Sequence, residues 1–274
     1  MNIILNSKKQ LRSIWWVAVF FLVLAAFTFP LILFSRQYGW EITIAQQAVV
    51  VVAATWVCQL LRRKPLSELT GQINRAAARN VFTGLALGAL LMLAPAGLLT
   101  ICGYVKWQQG TGTGMAMLNL TGVFLSVAVA EEFLFRGFVF QRLRESIGIW
   151  AAQLILAGYF LLTHINNPGM VGNVKIIAGI NIFIASIVFG LAFLRTNNLM
   201  MPIGMHFMAN WTQGALLGFG VSGNVQPSVL KPVFANAPQW LTGGSFGLEA
   251  SIPGLVSVIV LAIVLYRRKP VFTT

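Results

Sequence analysis

The chain has 274 residues, 57% of them hydrophobic and only 9% charged, against about 25% charged in a soluble domain, which excludes an ordinary soluble fold. The formal net charge of +13 does not point to nucleic acid, and no such partner is expected. The basic residues sit in short runs at the ends of apolar stretches, the pattern that orients a chain in a bilayer.

Residues 1–13 are polar and basic. The first apolar run, about Ile14 to Phe34, is too long for the ~7–15-residue core of a signal peptide and reads as a retained helix, with Trp15 and Trp16 at its interface. A short turn through Arg36 and Trp40 leads to a second helix, about Ile42 to Leu61, stopped by Arg62-Arg63-Lys64-Pro65. A third runs from about Val81 to Gly103. Its Gly84 and Gly88 have the small-xxx-small spacing of close helix packing, and Pro95 is a candidate kink. The Gly110–Gly114 stretch lacks the Lys-Ser/Thr of a phosphate loop and reads as a flexible linker.

The fourth helix runs from about Met115 to Phe140, the fifth from Ala151 to Ile165, the sixth from Ile176 to Leu194 and the seventh from Leu199 to Phe219. Residues 220–250, rich in Gly, Pro, Ser and Asn, are too long for a simple connection and read as a lid or substrate-facing segment. An eighth helix spans about Ile252 to Tyr266. The expectation is an all-α polytopic membrane bundle of about eight transmembrane helices. It is a single integral membrane domain, 1–274, with both termini cytoplasmic. Cys58 and Cys102 lie in apolar runs and have neither metal-ligand nor disulfide-framework spacing.

The basic residues support this orientation. Lys8, Lys9, Arg12, Arg62, Arg63, Lys64, Arg75, Arg79, Arg142, Arg144, Arg195, Arg267, Arg268 and Lys269 fall on inner segments, and only Arg36, Lys106, Lys175 and Lys231 on outer ones. Short cytoplasmic loops carry such an excess. The nineteenth, Arg136, lies inside the membrane with two of the chain's six acidic residues, Glu131 and Glu132.

Three charges within six positions of an apolar run need a reason, because each costs at least ~2.5–3.5 kcal/mol at a bilayer centre. Residues four apart share a helix face, so Glu132 and Arg136 can pair. Glu131 is turned about 100° away and is left as a general base, metal ligand or proton carrier. The chain's two histidines, His164 and His206, also lie in apolar segments. His206 and Asn210 are four apart, and both can donate to a developing oxyanion.

These residues carry a resemblance. EExxxR at Glu131, Glu132 and Arg136, FxxxH at Phe160–His164 and HxxxN at His206–Asn210 match, in order, three motifs of the CPBP family, the CAAX-protease and bacteriocin-processing (Abi) membrane peptidases. The core carrying them is residues 115–219, and Gln239–Gly247 is similar to a segment of some bacterial members. The resemblance implies a glutamic intramembrane endopeptidase acting on a membrane-associated or lipidated peptide or protein. It implies that Glu131 activates a water held and polarised by His164. His206 and Asn210 would stabilise the oxyanion, while Glu132 and Arg136 support the site. No cofactor is expected. Zinc at Glu131, His164 and His206 is the lesser alternative, since no HExxH helix is present.

Two other readings use the same residues: a proton-coupled transporter with Glu131 and the histidines as a relay, and a non-catalytic membrane partner or immunity protein. The absence of internal repeats weighs against many transporter folds. The expected location is a bacterial cytoplasmic membrane, with the lipid bilayer and a peptide substrate as partners. The sequence carries no signal for oligomeric state. Counting ~1.5 Å per residue from the inner surface puts Glu131 roughly 15–17 Å deep, His206 roughly 10–14 Å and His164 roughly 20 Å. Helix tilt of ~20° or a re-entrant segment at 142–150 would bring them level.

Overall fold

A computed structural model describes residues 3–5, 7 and 9–268. Lys8 and Lys269 of the inner basic set lie outside the described residues. The chain is an all-α bundle with one small sheet. Helices α1 (Ser13–Tyr38), α2 (Ile44–Leu61), α4 (Arg75–Ile101) and α8 (Gly172–Thr196) are long and apolar enough to cross a membrane. Two shorter apolar helices, α7 (Ile149–His164) and α11 (Ile252–Arg267), accompany them, and the single-turn α10 (Gln239–Thr242) precedes α11. Helix α1 buries only Phe20 and leaves Leu22, Phe27, Phe29, Leu33 and Phe34 exposed. Such a continuous apolar face suits lipid, where each backbone polar group is satisfied within the helix.

Two of the three motif-bearing helices are not straight. The expected fourth helix is α5 (Gly114–Glu132), a wide helical turn at Phe133–Phe138, and then α6 (Val139–Ile147). The break is at Gly137, whose φ −75° and ψ −117° leave the helical region. The expected seventh helix is likewise α9 (Met200–Asn210) followed by a wide turn at Trp211–Leu216. Both wide turns begin immediately after a motif residue, Glu132 in one case and Asn210 in the other. Single turns of this kind are often found at functional sites.

Segment 142–150 is helical on both sides of one turn. It completes α6 and turns at Gly148 (φ 86°), which passes directly into α7. Gly148 occupies the left-handed region that glycine enters without steric cost. A depth counted along one straight helix from residue 142 therefore does not apply to Glu131. Pro95 lies inside α4 without ending it.

Just ahead of the Gly110–Gly114 stretch the chain is extended and paired. Strand β1 (Val105–Gln109) pairs antiparallel with β2 (Leu230–Phe234), Trp107 opposite Pro232. Alternating side chains over five residues are a weak strand signal, and the partner lies more than a hundred residues away in sequence.

Two ends of the bundle are distinct. At one, Arg62 meets Glu68 of the short helix α3 (Ser67–Thr70) at 2.9 Å. Arg142 meets Glu145 at 2.8 Å, and Ser13 Oγ donates to Glu145 at 2.7 Å. Gln141 donates to the Leu69 carbonyl at 3.0 Å, and the Arg195 guanidinium reaches the Leu265 and Tyr266 carbonyls. All these residues belong to segments expected on the inner side. At the other end the small sheet joins Gly112, whose N–H donates to the Ser228 carbonyl. There Gly223 donates to Phe246.

Between the ends lie a small apolar cluster about Leu120, Phe124, Ala215 and Val221 and two large ones. One gathers Phe20, Ala54, Phe138, Phe160 and Phe193 from α1, α2, α7, α8 and the first wide turn. The other gathers Leu91, Phe189, Met205 and Leu261 from α4, α8, α9 and α11. The Gly84–Gly88 spacing is used in the second. A Cβ at Gly84 would strike the Met201 carbonyl, and one at Gly88 the Met205 carbonyl. Backbone approach this close presses α4 against α9, the helix carrying His206 and Asn210.

Candidate functional site: a polar chamber inside the bundle

Glu132 is fully buried, and Arg136, one turn on, is 2% exposed. They pair at 3.1 Å. A buried pair is tolerable only if its remaining donors and acceptors are satisfied. The second arm of the guanidinium, Nη2, donates to the Ser186 carbonyl at 2.8 Å and to Ser186 Oγ at 2.7 Å. The rings of Phe135, Phe160 and Phe189 lie 5.2–5.7 Å from its central carbon. Such cation–ring contacts contribute about 0.5–2 kcal/mol each when desolvated. Ser186 and Phe189 come from α8, so the cation fastens α8 to the first wide turn.

Glu132 has a second partner that the helical spacing alone does not reveal. His206 Nδ1 lies 2.9 Å from Glu132 Oε1. An ionised carboxylate only accepts, so Nδ1 carries the proton and donates. Glu132 thus accepts from both Arg136 and His206, linking α5 to α9. Phe189 stacks on the imidazole, centroids 4.8 Å apart and planes 13° apart, and holds its face. The other nitrogen, Nε2, is 3.7 Å from Glu131 Oε2. A hydrogen bond does not span that distance, and Glu131 Oε2 has no partner among the described residues.

His164 ends α7, where its Nδ1 lies 2.7 Å from the Phe160 carbonyl. A carbonyl only accepts, so Nδ1 is again the protonated nitrogen. The remaining Nε2 then has a free lone pair. Phe160, the first residue of the FxxxH spacing, packs its ring 4.5 Å from the imidazole and against Arg136. The spacing thus serves two contacts, one through the carbonyl and one through the ring.

Glu131, His164, His206 and Asn210 all line one cavity of about 350 Å³. Its apolar wall includes Leu91, Met92, Phe124 and Val127; Asn181, Ser222, Asn224, Gln226 and Glu249 add polar groups. Glu132 and Arg136 lie behind the wall. The described residues contain no group of three His, Cys, Asp or Glu that could hold a metal ion. Both Nδ1 atoms are committed, to the Phe160 carbonyl and to Glu132, which leaves the Nε2 of each ring available.

Three contributors escaped the sequence reading. Asn181, 5% exposed, is a polar residue in the apolar run of α8, a signal of an intramembrane role. Ser222 offers no signal in a polar loop. Glu249 offered one through scarcity: it is one of six acids in the chain, two residues past the Gln239–Gly247 segment.

An all-α, integral membrane bundle enclosing a polar chamber is the class that fold and site define. Residues 113–212 match the family model described as type II CAAX prenyl endopeptidase, Rce1-like. This is the CAAX-protease family that the three motifs resemble, and the matched stretch contains all three. No curated protein matches the chain. At the level of the family, the similarity is to a CAAX-type intramembrane protease, a hydrolase.

Proposed function

We propose that the chamber is the active site of an intramembrane endopeptidase that hydrolyses a peptide bond of a membrane-associated or lipidated substrate. The observation that carries this reading is the meeting of Glu131, His164, His206 and Asn210, from three separate helices, on one cavity. Glu131 lines the chamber, and its Oε2 has no hydrogen-bond partner among the described residues, as a general base requires. It takes a proton from a water whose other hydrogen is held by His164 Nε2. The water oxygen attacks the scissile carbonyl carbon. His206 Nε2, when the ring carries its second proton, and the Asn210 amide donate to the resulting oxyanion. Collapse breaks the C–N bond, and the proton on Glu131 passes to the leaving amine.

Two features support the roles of the remaining pair. Arg136 neutralises Glu132, and Glu132 in turn fixes His206 through Nδ1, so Nε2 is the nitrogen turned towards Glu131. The course is read as metal-free because no three His, Cys, Asp or Glu among the described residues stand together as a metal site. We place the protein in a bacterial cytoplasmic membrane with both termini inside.

The test is cleavage of a fluorogenic lipidated peptide library by purified protein in detergent, with and without a strong zinc chelator. Cleavage that survives the chelator and is lost in Glu131→Gln is the expected result. Loss with the chelator would overturn the metal-free course. Cleavage that persists in Glu131→Gln would overturn the role of Glu131.

A further inference from the structure

The chain carries nineteen Lys and Arg, yet none of them lines the chamber among the described residues. Two of the six acids do, Glu131 and Glu249. In a protein of net charge +13 the chamber is therefore locally negative, and low-dielectric walls focus such a field on whatever enters.

Glu249 precedes α11, outside the spanning helices. Its carboxylate accepts from Ser222 Oγ at 3.2 Å and from Gln213 Nε2 at 3.4 Å, both neutral donors. Among the described residues no cation forms an ion pair with it, whereas Glu68, Glu132 and Glu145 each pair with an arginine. Burial pushes its carboxyl above the ordinary range, against the lowering influence of His164, the Ser222 hydrogen bond and His206. Glu249 is half-buried, a carboxylate in such a place is costly without a counter-charge, and it has no part in the hydrolytic steps above.

A second observation points to a polar ligand in the same space. Asn181 and Asn210 line the chamber, are 5% and 8% exposed, and their side chains make no hydrogen bond to another described residue. Buried amides are normally paired, and two unpaired ones in one cavity suit the N–H and C=O groups of a peptide main chain. Asn224, Gln226 and Ser222 extend the polar wall beside Glu249.

We propose that Glu249 forms a subsite for a cationic group of the substrate, so that the chamber prefers a peptide with a lysine or arginine near the cut bond. The proposal rests on reading the chamber as the peptide site. An ammonium or guanidinium supplies the counter-charge that Glu249 lacks, while Asn181 and the rim amides hold the adjoining main chain. An acidic side chain at the same position meets two carboxylates and is disfavoured.

The test uses the full-length protein in detergent and three fluorescent lipidated peptides differing at one position, Lys, norleucine or Glu, scanned on either side of the cut. The wild type is expected to favour Lys over norleucine by about tenfold in kcat/KM at one position, the size of ~1.4 kcal/mol, with Glu weakest. Glu249→Gln should bring the Lys-to-norleucine ratio close to one, and Glu249→Asp should retain part of it. Unchanged thermal unfolding shows that the variants fold. Equilibrium binding of the same peptides to Glu131→Gln separates this from the hydrolytic reading. A Lys preference in binding without cleavage by the wild type keeps the subsite and overturns the protease. Cleavage with no Lys preference, a ratio unmoved by Glu249→Gln, or no binding of any peptide overturns the subsite.

Discussion

The molecule holds two clusters of glutamate and arginine, and they behave differently. At the basic end, Arg62, Glu68, Arg142 and Glu145 form a chain of pairs in which Glu68 and Glu145 remain 32% and 40% exposed. In the interior, Glu132, Arg136 and His206 form a chain of pairs that is almost wholly buried. The first cluster gains little, because water and salt compete for its charges. The second cannot exchange its partners for water, so each contact fixes a helix. Glu131, beside it, is 23% exposed and lies 3.7 Å from His206 Nε2 without a hydrogen bond on Oε2. The same residue types serve as an adjustable clasp in one place and as a rigid frame in the other.

That contrast can be broken from the inside first. Glu131→Gln should lower peptide cleavage between about a hundredfold and ten-thousandfold, the range for loss of a general base, with thermal unfolding nearly unchanged. Initial rates on the lipidated peptides check this. Arg136→Met leaves the Glu132 charge without its counter-ion and should destabilise the protein by about 3–5 kcal/mol. The double variant Glu132→Gln with Arg136→Met should recover part of that loss. Thermal unfolding in detergent reads both, and equal stabilities would mean that burial of an unpaired charge is not the cost.

A steric change sharpens the comparison without touching any charge. Gly88→Ala drives a methyl into the Met205 carbonyl and should cost about 1–3 kcal/mol, as overpacking does. Because α9 must move, cleavage should fall together with stability.

The smallest effect belongs to the basic end. Burial raises the Glu68 carboxyl, but hydrogen bonds from Gln59 and Arg62 and the charges of Arg62 and Arg142 outweigh it and hold it below the ordinary carboxylate range. A depressed folded-state pKa contributes stability above the unfolded value, which is lost as pH falls through the folded one. Glu68→Gln should therefore cost only a few tenths of a kcal/mol at neutral pH, after solvent screening. The difference from wild type should shrink in high salt and vanish in acid. A large loss that persists in salt would show that this cluster, too, is a frame.

Much of this was legible in the chain. Apolar runs of the right length, basic residues at their ends and three spaced motifs pointed to a helical membrane protein and singled out Glu131, His164, His206 and Asn210, which share one cavity, because a charge in lipid is conspicuous and helical spacing is periodic. The packing of Gly84 and Gly88 was visible for the same reason, though not its partner, α9. What periodicity cannot carry is decided by contacts between distant segments. The tie from Glu132 to His206 crosses 74 positions, and the grip of Ser186 on Arg136 crosses 50. The wide turns after Glu132 and Asn210 interrupt stretches whose composition still reads as straight helix. Glu249 enters the chamber only because the segment before α11 folds back onto it. Sequence by itself determined which residues are too costly to bury idly. The tertiary structure decided which of them are neutralised, which are left free, and what they face, because pairing in a dry interior depends on distances that no local pattern records.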